Sequence, residues 1–237
     1  MCGHMTIAIG INFGAYILLA ADTRTTLYGR NGRIISYTDE SVKIQKTSMG
    51  LITGAGSTPL LNSVNTRLSK EKITNTDQIL RIIFEERQNY QGSCGAVAEQ
   101  NIKLTGLIFT YKTVQDSDAK LRLGIIHPSL GNKIGLHEEN CPALISPFEA
   151  TEEDVDSIVD FLKKAIKPFR EFTTLSDSIQ YHWLVIAKLI QRIQPAFPSI
   201  SSYCQIGVHA LDGLRGISSV LKDTDLSASI NLTGDLS

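Results

Sequence analysis

The chain has 237 residues, of which 42% are hydrophobic, and this is enough to bury the core of a single domain. Its 23 basic and 24 acidic residues give a net charge of −1, so the sequence lacks the basic excess of nucleic-acid-binding proteins, and no nucleic acid is expected as a partner. The four cysteines are scattered, without the spacing of a disulfide framework or a metal site, which favours a reducing compartment and predicts a cytoplasmic protein.

The first predicted elements are two apolar strands, Thr6–Phe13 and Ala15–Ala21, joined at Gly14. This run contains Asn12, has no basic leader and is too short to span a bilayer, so no membrane partner is expected. The five residues ahead of it, Met-Cys-Gly-His-Met, partly resemble a cloning junction. That origin would make Met5 the native start.

The remaining chain alternates between blocks of short strands and pairs of helices. Strands are predicted, in chain order, at residues 33–37, 42–45, 50–53, 103–111, 121–126, 133–136, 203–210 and 214–220. Helices are predicted at residues 59–68, 78–90, 155–166 and 175–193. Thr76 and Asp77 can cap the second helix, a capping box at Thr151-Glu-Glu-Asp154 opens the third, and Ser176-Asp177 lies at the start of the fourth.

This order predicts one domain over residues 1–222, in which residues 1–5 are a leader or a tag remnant. Residues 223–237 are rich in Ser, Thr, Asp and Asn, a composition that predicts a flexible polar tail.

The stretch Thr6–Asp22, followed by Thr23-Arg24 and, 21 residues after Asp22, by Lys43, resembles the start of a proteasome-type β subunit. These subunits are N-terminal nucleophile (Ntn) hydrolases. The order of elements resembles that group over most of the chain, whereas the sequence match is specific only in the first block of strands. The resemblance implies an α+β fold, the four-layer αββα sandwich, and assembly into a homo-oligomer.

The same resemblance implies a set of catalytic residues. Thr6 matches the nucleophile, whose own free α-amine serves as its base, so residues 1–5 would have to be removed. Asp22 matches the carboxylate that orients Lys43, and a buried ammonium at Lys43 lowers the pKa of the hydroxyl. Gly54 or Gly56 matches the backbone N–H of the oxyanion hole, although a glycine at either position also suits close packing.

Other residues near this set have different expected roles. Lys43 comes later than in the family, so the loop Thr26–Ser41 must hold several extra residues. Lys46 is a weaker candidate because an odd offset from Lys43 turns it to the opposite face of a strand. Arg24 is expected to form a structural ion pair.

Two departures from the family pattern concern the serine motifs that hold the N-terminal amine. The first motif is replaced by Ala143-Leu-Ile-Ser-Pro-Phe148, which leaves Ser146 as the candidate. The second is replaced by Pro195-Ala-Phe-Pro-Ser-Ile-Ser-Ser202, which has serines but no aspartate. Support for the amine must therefore be built differently from the family.

The leading hypothesis is a threonine-type amidohydrolase or peptidase that acts through an acyl-enzyme at Thr6 on a peptide or amide substrate. One alternative is a catalytically inactive scaffold like a proteasome α subunit, and another is an Ntn amidase that uses Cys2. No cofactor is expected. No metal is expected either, because no metal-binding spacing relates the histidines, which are His4, His127, His137, His182 and His209.

Overall fold

The computed structural model describes residues 6–29, 33–115, 118–131 and 133–220. Within them the fold is mixed α/β, with five α-helices, two five-stranded sheets and a two-stranded hairpin. The predicted leader, residues 1–5, and the predicted tail, residues 223–237, lie outside the described residues, and so does the alternative nucleophile Cys2.

The first sheet joins the two ends of the chain. Its strand order is β10-β1-β2-β11-β12, and all neighbours are antiparallel. The strands are β1 (Ala8–Asn12), β2 (Tyr16–Asp22), β10 (Pro142–Ile145), β11 (Cys204–Ala210) and β12 (Gly213–Val220).

The second sheet is built from the middle of the chain, in the order β5-β6-β7-β8-β9, again antiparallel. Its strands are β5 (Gln45–Lys46), β6 (Leu51–Ala55), β7 (Gly106–Gln115), β8 (Asp118–Ile126) and β9 (Gly135–His137). A separate hairpin pairs β3 (Thr25–Tyr28) with β4 (Ile34–Thr38).

The helices are α1 (Thr58–Lys70), α2 (Thr76–Cys94), α3 (Ala96–Lys103), α4 (Glu152–Ala165) and α5 (Leu175–Ile193). The capping box predicted at Thr151 and Asp154 is confirmed. The caps of two other helices lie one or two residues earlier than predicted, because Asn75 accepts from the backbone of Gln78 and Thr174 accepts from that of Asp177.

Three hydrophobic clusters hold these elements together. The first lies between the first sheet and helices α4 and α5, and the third lies between the second sheet and helices α1 and α2. The middle cluster fills the space between the two sheets. The sheets approach closely at Gly10, where an added Cβ would lie 2.9 Å from both Ile108 Cγ2 and Leu123 Cδ1. Burial on both faces explains why β1 and β2 are apolar up to their last residues, Asn12 and Asp22.

Several predicted elements are wrong in detail. The strand predicted at residues 42–45 is reduced to Gln45–Lys46, and Lys43 lies in the irregular segment before it. Strands β3 and β10 and helix α3 were not predicted. Among the described residues, no helix is both long and apolar enough to cross a membrane.

Two buried histidines are held neutral by the fold. His182 lies on the buried face of α5, where its Nδ1 is 3.0 Å from the Tyr16 hydroxyl and its Nε2 accepts from the backbone N–H of Lys167 at 3.2 Å. His209 lies 2.7 Å from Thr110 Oγ1 through its Nδ1. Burial lowers the pKa of each histidine to about 4.

These histidines predict a loss of stability in mild acid. Between pH 6.5 and about 4 the unfolded chain takes up protons at both positions while the folded chain does not, so stability falls as the pH falls through that window. At pH 5 we expect each histidine to lower the free energy of unfolding by about 2 kcal/mol relative to pH 7. Urea denaturation at the two pH values measures this change.

The variant His209→Asn cannot titrate at that position, so its loss of stability between pH 7 and pH 5 should be smaller than that of the parent protein by about 2 kcal/mol. A variant with the same difference between pH 7 and pH 5 as the parent protein would show that His209 is not held neutral by the fold.

Candidate active site

Thr6 lies two residues before the start of β1 and is 3% exposed. The Lys43 ammonium donates a hydrogen bond to its hydroxyl, with 2.5 Å between Nζ and Oγ1. The candidate nucleophile and the candidate lysine, 37 residues apart in the chain, are therefore in direct contact.

Asp22 is brought beside this pair by the antiparallel pairing of the first two strands. The register places Ala8 opposite Ala21, so the end of β2 lies next to the residues that precede β1. The backbone N–H of Ile7 donates to Asp22 Oδ1 at 3.1 Å, and the backbone N–H of Asp22 donates to the carbonyl of Ile7 at 3.3 Å. Hairpin register thus fixes the distance between the candidate threonine and aspartate.

The Asp22 carboxylate is fully buried and accepts four hydrogen bonds. Besides Ile7, its donors are the backbone N–H of Arg24 at 2.8 Å, the backbone N–H of Ser201 at 3.2 Å, and Lys43 Nζ at 3.2 Å. Burial raises the pKa of Asp22, whereas the Lys43 ammonium and the N–H donors oppose that rise.

Lys43 is held by its backbone as well as by its side chain. The side-chain amide oxygen of Gln205, on β11, accepts from the backbone N–H of Lys43 at 2.7 Å and from that of Ile44 at 3.2 Å. Lys43 Nζ also donates to the carbonyl oxygen of Arg24. Its side chain is 11% exposed, and burial lowers the pKa of the ammonium.

The extra residues ahead of Lys43 form the β3–β4 hairpin. Arg24, which precedes it, makes a two-pronged ion pair with Asp39 at 2.7 and 2.8 Å, as the sequence predicted. Its guanidinium also donates to the carbonyl of Pro198 and lies 3.9 Å from the centre of the Tyr37 ring. These contacts of Arg24 fix the β3–β4 hairpin beside the candidate site.

Gly54 and Gly56 each have a packing reason to be glycine. A Cβ at Gly54 would lie 2.7 Å from the carbonyl oxygen of Gly106. Gly56 has φ 123°, and a Cβ there would overlap Thr105. Both glycines therefore fit the structural interpretation, and the oxyanion role of Gly54 stays a prediction.

Two cavities meet at Thr6. The smaller one, about 280 Å³, is lined by Lys43 and Gly54 as well as Thr6. The larger one, about 520 Å³, is lined by Gly56 and Ser146 as well as Thr6. Thr6 thus lies at the wall of a cavity large enough for a ligand, and Ser146 shares that wall.

Ser201 and Gln205 take part in the site although sequence reasoning did not select them as site residues. Ser201 lies in the loop after α5, is fully buried, and contacts Thr23 through a 3.0 Å bond between the two hydroxyls. The serine-rich sequence of its loop is a local signal that could have indicated this role. No local signal marks Gln205, because its role depends on the pairing of β11 with β2.

Removal of the Gln205 amide should destabilise the segment that carries Lys43. The variant Gln205→Ala leaves two backbone N–H groups without their acceptor, and we expect the free energy of unfolding to fall by about 2 kcal/mol. Urea denaturation provides the measurement, and Gln88→Ala, at an exposed position of α2, is the matched control. Equal stability of the two variants would contradict the role given to Gln205.

Comparison with known proteins gives a relation of fold only. No family model and no curated protein sequence matches the chain. Among solved structures, a mutant of Anbu from Hyphomicrobium sp. strain MC1 matches with a TM-score of 0.61 and 14% identity, covering 94% of this chain and 92% of that one. A second Anbu structure from the same strain matches with a TM-score of 0.59 and 14% identity, covering 93% and 91%.

The chain shares the fold of these Anbu structures over most of its length. The expectation that it is a divergent member of the proteasome β-subunit-like group is wrong, because its relation to the solved structures that it matches is one of fold alone. The structural neighbours are Anbu chains at 14% identity, which is a distant relation. A match of fold does not carry catalytic roles from one protein to another, so these roles depend on the site itself.

Proposed function

We propose that this protein is a threonine-type Ntn amidohydrolase that cleaves a peptide or amide through an acyl-enzyme at Thr6. The observation that carries the proposal is the 2.5 Å hydrogen bond from Lys43 Nζ to Thr6 Oγ1, made by a lysine that also contacts the buried Asp22. A buried lysine–aspartate pair gives little net stability by itself, so its position against a hydroxyl favours a chemical use.

The proposed reaction starts after residues 1–5 have been removed. The Thr6 hydroxyl attacks the carbonyl carbon of the amide, and its proton passes to the free α-amine of the same residue. The Lys43 ammonium stabilises the negative charge that develops on Oγ1. The α-amine then gives the proton to the leaving nitrogen as the C–N bond breaks, and water later hydrolyses the ester at Thr6.

The layering of the fold and the cellular location belong to the same proposal. The helix, sheet, sheet and helix contacts of the three hydrophobic clusters support a four-layer αββα sandwich in a single domain. The free thiols of Cys94, Cys141 and Cys204 support a reducing, cytoplasmic location. Within the described residues, no group of three or more His, Cys, Asp or Glu side chains could hold a metal ion.

A comparison of two N-termini tests the proposal. One form of the protein begins at Thr6, released from a fusion partner by a specific protease, and the other retains residues 1–5. An epoxyketone that reacts with both the hydroxyl and the α-amine of an N-terminal threonine should label the first form and leave the second unlabelled. Equal absence of label in both forms would contradict threonine catalysis.

A non-catalytic scaffold is the second candidate, and the surface of β4 favours it. All five residues of this strand are exposed, including Ile35 at 67% and Tyr37 at 59%. Exposed apolar side chains of this kind often mark a contact surface. Sedimentation velocity that shows a homo-oligomer, together with no epoxyketone label on the form that begins at Thr6, would support the scaffold function.

A further inference from the structure

Within the part of the chain that the structure describes, the larger cavity beside Thr6 is lined by basic side chains without acidic ones. Its described lining residues include Lys103, His127 and His137, and none of them is an aspartate or a glutamate. The cavity also has an apolar part, which includes Leu130 and Phe148. A ligand that fills it therefore meets apolar surface together with cationic and N–H donor groups.

His127 is arranged as a neutral hydrogen-bond donor. Its Nδ1 accepts from the backbone N–H of Ser129 at 3.3 Å and lies 2.7 Å from the Ser129 hydroxyl, which leaves Nε2 to carry the proton of the neutral ring. Burial and the nearby charge of Arg87 lower the pKa of His127, and burial lowers that of His137. The Arg87 charge also makes the potential at His127 more positive.

Lys103 contributes a full positive charge to the cavity wall. It lies at the end of α3, a helix that contacts the 3₁₀ turn Pro128–Leu130 following His127. Its ammonium pairs with Glu99 at 2.8 Å, but both side chains of this pair are about two-thirds exposed, at 67% and 65%. An exposed pair of this kind is weak, so the ammonium can turn from Glu99 to a bound anion at little cost.

We propose that this cavity binds the carboxylate of an acidic substrate, an amide with a carboxylate-bearing group next to the cleaved bond. Lys103 provides the charge, His127 provides an N–H donor, and the apolar wall holds the carbon chain of that group. The proposed function is needed only to name the ligand a substrate, since binding of the carboxylate itself does not depend on catalysis at Thr6.

The test uses the Thr6→Ala variant, so that binding is measured without turnover. N-acetyl-L-glutamate and N-acetyl-L-glutamine are titrated in turn, and the imidazole resonances of His127 are followed by NMR. The buried His182 and His209 serve as internal references, because they lie outside the cavity lining. We expect the acid to shift the His127 resonances and to bind at least about tenfold more tightly than the amide.

Two charge variants separate Lys103 from a general effect of net charge. In Thr6→Ala/Lys103→Gln the preference for the acid should be lost, while in Thr6→Ala/Lys164→Gln, with the same change of charge on an exposed residue of α4, it should be kept. Equal affinities for the acid and the amide, or an absence of any His127 shift, would overturn the proposal. Both results are independent of epoxyketone labelling, so this inference and the proposed function can fail separately.

Discussion

Replacement of Thr6 by alanine in the form that begins at this position is expected to abolish covalent labelling by an epoxyketone. The Thr6 hydroxyl contacts Lys43 Nζ at 2.5 Å and lies at the wall of the larger cavity, which is the position required of the nucleophile in the proposed reaction. Removal of a nucleophile that acts together with its base costs at least about 10³-fold in rate. The labelling rate, followed by intact mass, measures the loss.

Two further variants define what this result means. Thr6→Ser keeps a hydroxyl and an α-amine in place and should still be labelled, whereas Thr66→Ala, at an exposed position of α1, should be labelled at the rate of the parent protein. Labelling of the Thr6→Ala variant at an unchanged rate would remove Thr6 from the chemistry.

Replacement of Lys43 by methionine is expected to affect both chemistry and stability. The hydroxyl of Thr6 loses the cation that stabilises its deprotonated form, and the labelling rate should fall by about 10²- to 10⁴-fold. The buried Asp22 carboxylate loses its charged partner at the same time, so the free energy of unfolding should fall by about 3 kcal/mol. Labelling kinetics and urea denaturation measure the two effects.

The matched control is Lys46→Met, because Lys46 is exposed and close in the chain. It should change the stability by no more than about 0.5 kcal/mol and leave labelling intact. If Lys43→Met does not fold, Lys43→Arg retains the charge beside Asp22 but misplaces it against the hydroxyl, so it should fold and label slowly. Rapid labelling of a folded Lys43 variant would contradict the role of this lysine.

The proximity of the three candidate site residues was easier to predict from the sequence than the local structure around them. Thr6, Asp22 and Lys43 were selected together by their resemblance to a family, and the structure brings all three into contact. The strand predicted at residues 42–45 does not extend over Lys43 and Ile44, because their backbone N–H groups bond to the Gln205 side chain instead of a neighbouring strand. The Gln205 side chain, distant in sequence, takes the place of the hydrogen bonds that a neighbouring strand would make. Local β propensity carries no information about such a partner.

Strand β10 shows a different limit of sequence reasoning. Its segment begins with Pro142, and proline usually argues against a strand. Here Pro142 is the first residue of an edge strand that pairs only with β1, a position where a missing N–H is tolerated. The edge position of β10 follows from the order of strands in the sheet, which the local sequence does not show.

The resemblance of one short segment to a family did not establish that the chain belongs to that family. The hairpin from Thr6 to Asp22 resembles a proteasome β subunit, yet the chain is only 14% identical to the two Anbu structures that it matches over more than nine-tenths of its length. A short hairpin whose register alone places a threonine beside an aspartate can be similar between distant proteins. The fold follows from the order of elements, whereas family membership needs agreement along the whole chain.

N-terminal sequencing with intact mass of the protein purified from its native host tests most directly whether Thr6 acts as a free N-terminal residue. We predict a chain that begins at Thr6, with the α-amine available as a base for its own hydroxyl. A chain that retains Met5 or any earlier residue would block that amine and contradict the proposed chemistry.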